Sequence, residues 1–326
     1  MSEHPTTATV GDLRAVMHTA YPPELAESWD AVGLICGDPA APVRRVALAL
    51  DCTEDVAQAA VANKADMLIV HHPLLLRGVN TVAADTPKGR IIHTLISNGV
   101  ALLAAHTNAD SARPGVNDQL ATVLGVHPGR PISRNGDPDL PEEQATGLGR
   151  IGRLEQPLTL REFAQKVANR LPFTQWGIRV AGDPNALIRT VAVGSGAGDS
   201  FLDTIRELEG EDAVDCYLTS DLRHHPVDEY LRAGGPAIID TAHWASEFPW
   251  CFQAAELLQR AFPQLAVEVL NIRTDPWTLG AQAAEDTAHV SAVDPTGWME
   301  HARRAAVRTL DNSGPTTGAA SPHNHG

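Results

Sequence analysis

Short apolar runs of strand length alternate with stretches of helical periodicity in the first part of the chain. The run RRVALALD (residues 44–51) precedes a helical pattern at 54–65. The run DMLIV (66–70) precedes a loop, a helical pattern at 86–99 and the run VALLAAHTN (100–108). Strands that alternate with helices in this way favour a parallel or mixed sheet covered by helices.

The same alternation returns after residue 188, with strand patterns at 188–196, 213–221 and 236–240 and helical patterns at 200–210, 226–235 and 250–262. Residues 127–152 lie between the two regions and are rich in proline, glycine and acidic residues, as a connection would be. We therefore predict an α/β fold of two lobes with mixed sheets flanked by helices. The lobes span residues 8–127 and 128–277, and the last part of the second packs back on the first.

Composition narrows the class of protein. The chain has 326 residues, of which 43% are hydrophobic and 20% charged, as in ordinary globular proteins. No apolar run reaches the roughly 20 residues of a membrane helix, and the N-terminus lacks the pattern of a secretory signal. A soluble, cytoplasmic protein is the prediction. The formal net charge of −15 argues against nucleic acid as a partner. Residues 278–326 are predicted to form an extension with a disordered end.

Histidine and carboxylate residues follow four of the apolar runs. In order along the chain they are His71 and His72; His106 and Asp110; Asp221, His224 and His225; and Asp240, His243 and Glu247. Ligands of open α/β sheets collect at the carboxyl ends of strands, so these residues predict a metal site. Each pair taken alone also has an explanation without a metal. One ring of His71 and His72 could be packed in the core and the other solvated. His243 and Glu247 could lie in a solvated first turn of a helix.

The residue types indicate which ions would bind. Imidazole and carboxylate ligands without thiolate favour zinc, iron, manganese, cobalt or nickel. Adjacent histidines at a strand end point in different directions, so His71 and His72 suit two ions of a pair better than one ion. A carboxylate such as Glu247 can bridge the pair. Pro249 belongs in the first turn of a helix, which places the start of the regular helix at about Ser246 or later.

Six motifs, in this order, resemble those of the family of GTP cyclohydrolase 1 type 2 homologues. They are ESWDAVGLICGDP (27–39), IVHHPLLLRG (69–78), the segment from TPKGR to NDQLA (86–121), GLGRIG (147–152), TSDLRHH (219–225) and IIDTAHWASE (238–247). The likeness spans about residues 10–276. Ser220 stands where glycine is usual in the family, and Ala31 where asparagine is frequent.

The resemblance implies two divalent ions held in the cleft between the lobes of a ring-shaped homohexamer. It implies His71 and His243 on one ion, His72 and Asp110 on the other, and Glu247 bridging both. His106, Asp221 and His225 match positions near the family's site, where we expect His106 or His225 to orient substrate or move protons.

Two classes of function remain open. One is a metal-dependent hydrolase of a nucleotide or related small molecule, for which the family name suggests opening of the purine ring of GTP. The other is a non-catalytic hexameric protein for metal delivery, storage or sensing, or an interaction platform. The turn GSGAGDSF (194–201) fits phosphate binding or merely a tight turn. Arg113 fits either an anionic substrate or solvent, and no motif of a covalent nucleophile occurs.

Overall fold

The first sheet has five strands and carries helices on both faces. The computed structural model describes residues 7–136 and 138–281. The strand order is β1-β4-β3-β2-β13, where the strands are β1 (Gly33–Cys36), β2 (Arg45–Ala49), β3 (Met67–Val70), β4 (Ala101–Ala104) and β13 (Ala266–Val269). All pairs are parallel except β1 with β4. Because successive side chains of a strand point to opposite faces, β2 sends Val46 and Leu48 into one core and Ala47 and Ala49 into the other.

Helices close both faces of this sheet. They are α1 (Val10–Ala20) and α10 (Pro249–Ala261) on one face, and α2 (Glu54–Ala62) and α3 (Pro87–Ser97) on the other. Thr9 begins α1, and Thr53 and Thr86 begin α2 and α3, each accepting a hydrogen bond from a backbone N–H of the first turn. Strands buried on both faces explain why β2, β3 and β4 are continuous apolar runs in the sequence.

The second sheet has six strands in the order β5-β8-β10-β11-β12-β9. They are β5 (Val126–Pro128), β8 (Arg150–Thr159), β9 (Ile178–Ala181), β10 (Leu187–Ala197), β11 (Cys216–Ser220) and β12 (Ala237–Thr241). The central strands β10, β11 and β12 are parallel, and the outer pairs are antiparallel. One core holds α5 (Val116–Leu124) and α6 (Leu160–Arg170), and the other holds α7 (Leu202–Arg206) and α8 (His224–Arg232).

The mixed α/β fold with helix-flanked sheets is thus confirmed, with differences in detail. Residues 127–152 are more than a connection, because they contribute to β5 and β8 and form the two-stranded sheet of β6 (Ser133–Arg134) and β7 (Gly147–Leu148). The regular helix begins at Pro249, which agrees with the expected start at about Ser246 or later, but the helical turn before it was not expected. A short helix, α9 (His243–Glu247), precedes Pro249, which begins α10 at the first helical position, where its missing N–H is not needed.

Residues 7–278 lie within one compact unit that contains both sheets. The predicted extension at residues 278–326 falls almost entirely outside the described residues. Among the described residues, no helix has both the length and the apolar character needed to span a membrane.

A buried arginine lies where the two sheets approach each other. Arg150, at the start of β8, has no exposed surface and directs its whole guanidinium group inward. It donates to both carboxylate oxygens of Asp118 at 2.8 and 2.7 Å, and to the backbone carbonyls of Ala112, Gly147 and Gly149. The short helix α4 (Thr107–Ser111) precedes Ala112, so Arg150 links the end of that helix to β7 and α5.

Candidate metal centre

Strand ends of both sheets deliver the candidate ligands to one place. In the first sheet β3 ends just before His71 and His72, and β4 leads through His106 into α4, which carries Asp110. In the second sheet β12 leads into α9, which carries His243 and Glu247 one turn apart. The five residues expected to bind metal therefore meet between the sheets, and His71, Asp110 and Glu247 are buried there.

Each histidine of this cluster has its Nδ1 atom fixed by an acceptor. Carbonyl and carboxylate oxygens only accept hydrogen bonds, so each Nδ1 carries a proton and each Nε2 is the nitrogen that can bind a metal. The four pairs are His71 with the carbonyl of Ala105 at 2.8 Å, His72 with Asp51 at 2.7 Å, His106 with Asp30 at 2.9 Å and His243 with Asp221 at 2.6 Å. This arrangement is typical of histidines that bind metal.

The Nε2 atoms converge on two carboxylates. The Nε2 atoms of His72 and His243 lie 3.0 and 3.1 Å from Oε2 of Glu247. On the other side, Nε2 of His71 lies 3.6 Å from Oδ1 of Asp110 and 3.8 Å from Oε1 of Glu247. Ligands of one tetrahedral zinc ion, about 2.0–2.1 Å from the metal, lie about 3.3 Å from one another. The spacing is therefore close to that of metal ligands, and one oxygen of Glu247 faces His72 and His243 while the other faces His71.

Two buried polar atoms of the cluster are left without hydrogen bonds. Within the part of the chain that the structure describes, Nε2 of His71 and Oε2 of Glu247 have no hydrogen-bond partner despite their close neighbours. A buried acceptor without a partner costs free energy, on the order of 1–3 kcal/mol. Nε2 of His71 and Oε2 of Glu247 lie close to other ligand atoms but do not have hydrogen-bond geometry. Ligands around a bound ion are arranged in this way, so these residues fit a metal.

The grouping of the candidate ligands differs from the one that the resemblance implied. His71 lies with Asp110 and Glu247, and His72 lies with His243 and Glu247. The implied pairing of His71 with His243 stays a prediction, and in the structure the ring of His72 is the one that faces His243 on α9. His106 lies in the cluster itself, since one of its ring nitrogens is within 4.8 Å of nitrogens of His71 and His72.

Asp221 and His225 of the TSDLRHH motif, both expected near the site, lie in different surroundings. Asp221 follows β11 in a left-handed backbone conformation with φ of 59°, and it holds the ring of His243. His225 is exposed in the first turn of α8, where its ring contacts that of His224, and it belongs to none of the His and carboxylate groups found among the described residues. The structure therefore does not bring His225 to the candidate ligands, because α8 begins at His224 and leaves the side chain of His225 exposed.

Charges in the cluster offset one another. Burial alone would raise the pKa of Glu247, but His243 and His72 outweigh it and hold that pKa well below its usual range. Burial opposes protonation of His72 as well, yet Glu247 and Asp51 outweigh it and raise the pKa of His72 to about 10. The same balance, with Asp221 in place of Asp51, raises the pKa of His243 to about 11. An ion that binds here takes the place of these protons.

Three supporting residues were not singled out from the sequence. Asp51 and Asp30 hold the rings of His72 and His106, and Asp30 also accepts hydrogen bonds from the backbone N–H and the hydroxyl of Thr107. Asp51 lies two residues after the end of β2, so the rule that predicted a site from residues at strand ends would have found it. No pattern in the sequence pointed to a role for Gly196 beside the ligands, because that role depends on a contact between the end of β10 and α9.

Gly196 lies against the Glu247 carboxylate. A Cβ atom at this position would be 2.2 Å from Oε1 of Glu247 and 3.2 Å from Nε2 of His243, and the backbone φ is +63°. Its N–H donates to the hydroxyl of Ser246 at 3.0 Å. This glycine of the GSGAG turn is therefore explained by its close approach to the candidate ligands.

The Gly196→Ala variant is expected to lose at least tenfold in metal affinity, because the new methyl group displaces Glu247. Gly210→Ala is the matched control: its φ is +64° and nothing lies within 4 Å of the added Cβ. Both variants carry the left-handed backbone cost of about 1–2 kcal/mol, so only the contact differs. Competition with a chelator measures the affinity. Equal affinities in the two variants would contradict this role of Gly196.

Two cavities open onto the cluster from different sides. The larger, about 500 Å³, is bounded by Trp29 and Phe201 and reaches Asp110, His243 and Glu247. Ser195 also lines it and donates to Oδ1 of Asp110 at 3.4 Å. The second cavity, about 390 Å³, reaches His72 and His243. The candidate ligands are thus accessible to small molecules on two sides.

Arg113 does not face either cavity. Its guanidinium group donates to the backbone carbonyls of Gly129 at 2.7 Å and Pro128 at 3.1 Å, and so contacts the chain next to β5. The alternative that it binds an anionic substrate is therefore not supported by its position.

Comparison with known proteins agrees with the motifs. A family model described as Duf34/NIF3 (NGG1p interacting factor 3) matches residues 8–276. A Streptomyces coelicolor protein named GTP cyclohydrolase 1 type 2 homolog is 48% identical over 87% of this chain and 98% of its own length. A Schizosaccharomyces pombe protein named Protein NIF3 homolog is 34% identical over 70% of this chain and 81% of its own.

Solved structures show the same fold. A hypothetical protein from Staphylococcus aureus superposes with a TM-score of 0.73 at 29% identity, covering 83% of this chain and 99% of the other. A Bacillus cereus protein related to NIF3 superposes with a TM-score of 0.72 at 24% identity, covering 84% and 99%. The resemblance stated from the motifs is confirmed. The chain belongs to the Duf34/NIF3 family.

Proposed function

We propose that this protein is a divalent-metal-dependent hydrolase with a two-ion centre between its sheets. The observation that carries the proposal is the convergence of Nε2 atoms on Glu247 and Asp110, while each Nδ1 is held by a carbonyl or carboxylate oxygen. The ions are zinc, iron, manganese, cobalt or nickel, the metals that histidine and carboxylate ligands favour.

The proposed ligand sets follow from the distances. His71 and Asp110 would hold one ion and His72 and His243 the other, with Glu247 between them and His106 beside the first set. A pair of divalent ions lowers the pKa of a bound water towards 7 and polarises the bond under attack. The surrounding carboxylates fix the orientation of the rings, so that little reorganisation is needed when a substrate enters.

The cavities favour a hydrolase over a protein that stores or delivers metal. A carrier needs ligands and no open position, whereas a hydrolase needs space for water and substrate next to the ions. The cavity of about 500 Å³ reaches Asp110, His243 and Glu247, and its volume is within the range of small-molecule sites. We propose that the substrate is a nucleotide or a related small molecule, as the names of the relatives suggest.

The test is metal content per chain on protein purified without a histidine tag, followed by hydrolysis of a nucleotide panel that includes GTP. We expect about two ions per chain and turnover that is lost on chelation and restored by metal. Two ions with no turnover on any member of the panel would favour metal handling instead. Protein without bound metal after reconstitution would overturn the two-ion centre.

Assembly and location complete the proposal. We propose a homohexamer in the cytoplasm, as the resemblance implies. Light scattering coupled to size exclusion is expected to give about six times the chain mass of 34.7 kDa. A monomer or dimer would contradict this part of the proposal and leave the metal centre unaffected.

A further inference from the structure

The second cavity has an aromatic wall and an acidic lining. Trp176 and Trp277 contact each other with ring centroids 5.8 Å apart, and Trp244 also lines the cavity. The ring of Trp277 is 56% exposed, which leaves a large flat apolar surface beside the candidate ligands His72 and His243. Flat aromatic surfaces of this kind favour planar ligands.

Three carboxylates line the same cavity, and two of them already have partners. Asp51 accepts from His72 and Thr274, and Asp221 accepts from His243. Asp275 differs, since it is 92% buried and its Oδ2 atom has no hydrogen-bond donor within residues 7–136 and 138–281. A buried carboxylate oxygen without a donor is costly, so this position calls for a donor from a ligand.

The positive side chains of this lining, His72 and His243, are already paired with Asp51, Asp221 and Glu247. Among the described residues, no lysine or arginine lines the cavity. Arg179 lies over the outer part of the aromatic wall, with Cζ 4.3 Å from the centroid of Trp176, but its charge is paired with Asp240. A phosphate chain would therefore meet carboxylates here without an arginine or lysine to bind it.

We propose that this cavity binds a planar ring with an amidine-type edge, that is, two adjacent N–H donors on a flat conjugated group. The ring lies on the face of Trp277, and its N–H groups donate to Asp275. In this position the ring is next to His72 and His243, and therefore beside the proposed ions. Its identification as part of the substrate rests on the hydrolase proposed above, whereas its binding does not require metal.

Calorimetric titration of the full chain after chelator treatment tests the binding directly. The probes are 2-aminobenzimidazole, which has the amidine-type edge, and 2-methylbenzimidazole, which has the same shape without the amino donor. We expect the amino compound to bind at least tenfold more tightly, because hydrogen bonds to a charged group contribute about 1.5–3 kcal/mol. Equal affinities in the wild-type protein would overturn the proposal, as would competition by inorganic tripolyphosphate.

Variants assign the effect to this cavity. Asp275→Asn is expected to remove the tenfold preference and leave binding of the methyl compound unchanged, and Trp277→Ala is expected to weaken both compounds about equally. Asp203→Asn, at a highly exposed carboxylate, and Trp29→Ala are the matched controls. Trp29 is 57% exposed, like Trp277, but lines the other cavity. An unchanged preference in Asp275→Asn, or an equal loss in Trp29→Ala, would contradict the assignment.

Metal analysis of the same preparation before chelation separates the two proposals. Probe binding that depends on Asp275 in a protein that holds no metal would support the pocket and overturn the two-ion centre. Two ions per chain with no preference between the probes would support the metal centre and overturn the pocket.

Discussion

Replacing Glu247 with glutamine is expected to reduce the metal content from about two ions per chain to nearly none. One oxygen of this carboxylate faces Nε2 of His72 and His243, and the other faces Nε2 of His71. An amide of the same shape keeps the packing but removes the negative charge that lies between the two cations. The ions would then repel each other, and each would also lose a charged ligand. The rate of hydrolysis is expected to fall together with the metal content.

Glu256→Gln is the matched control for this variant. Glu256 lies on α10, the next helix after α9, and its 60% exposed side chain pairs with Arg260 on the surface. Its replacement is expected to leave two ions per chain. Elemental analysis after identical reconstitution compares the variants, and thermal melting checks that both are folded. Two ions retained in Glu247→Gln would show that this residue does not bridge the pair.

The largest effect on stability is expected from Arg150→Met, which should lower the free energy of unfolding by about 3–5 kcal/mol. The variant leaves the carboxylate of Asp118 buried without its counter-charge, and it leaves three backbone carbonyls without their donors. Asp118 also accepts from the N–H of Gly115 at the start of α5, so the loss extends to that helix. Urea unfolding measured in metal-free protein provides the comparison.

Arg232→Met is the control, because its 79% exposed side chain forms only a surface pair with Asp228. Exposed ion pairs of this kind contribute about 0–1 kcal/mol to the free energy of unfolding. Adding Asp118→Leu to Arg150→Met should recover part of the stability, since both charges are then removed. A loss below about 1 kcal/mol in Arg150→Met would mean that water or neighbouring groups satisfy Asp118 without the arginine.

The sequence was sufficient to predict that the ligands would meet, because that depends on a local rule. His71, His72, Asp110, His243 and Glu247 all follow buried apolar runs, and ligands collect at the carboxyl ends of strands. Adjacent side chains on an extended backbone point apart, so His71 and His72 were expected on different ions. The structure places His71 beside Asp110 and Glu247 and His72 beside His243 and Glu247, although both rings also lie near His106.

What could not be predicted depends on how the two sheets approach each other. Which of the adjacent histidines faces His243 is set by the position of α9 relative to β3, and no local pattern encodes it. The outward position of His225 follows from the start of α8 two residues after Leu222. The contact of Gly196 with Glu247 likewise joins residues of separate elements.

The strand β13 has a consequence for the order in which the protein is assembled on the ribosome. It pairs in parallel with β2, and α10 covers one face of the same sheet, although both follow the whole second sheet in the chain. Residues 126–241, which contain every strand of the second sheet, leave the ribosome before these two elements. Chains are synthesised from the N-terminus at about 5–20 residues per second. The first sheet, whose strands β1 to β4 are synthesised first, can therefore be completed only after the whole second sheet has been synthesised.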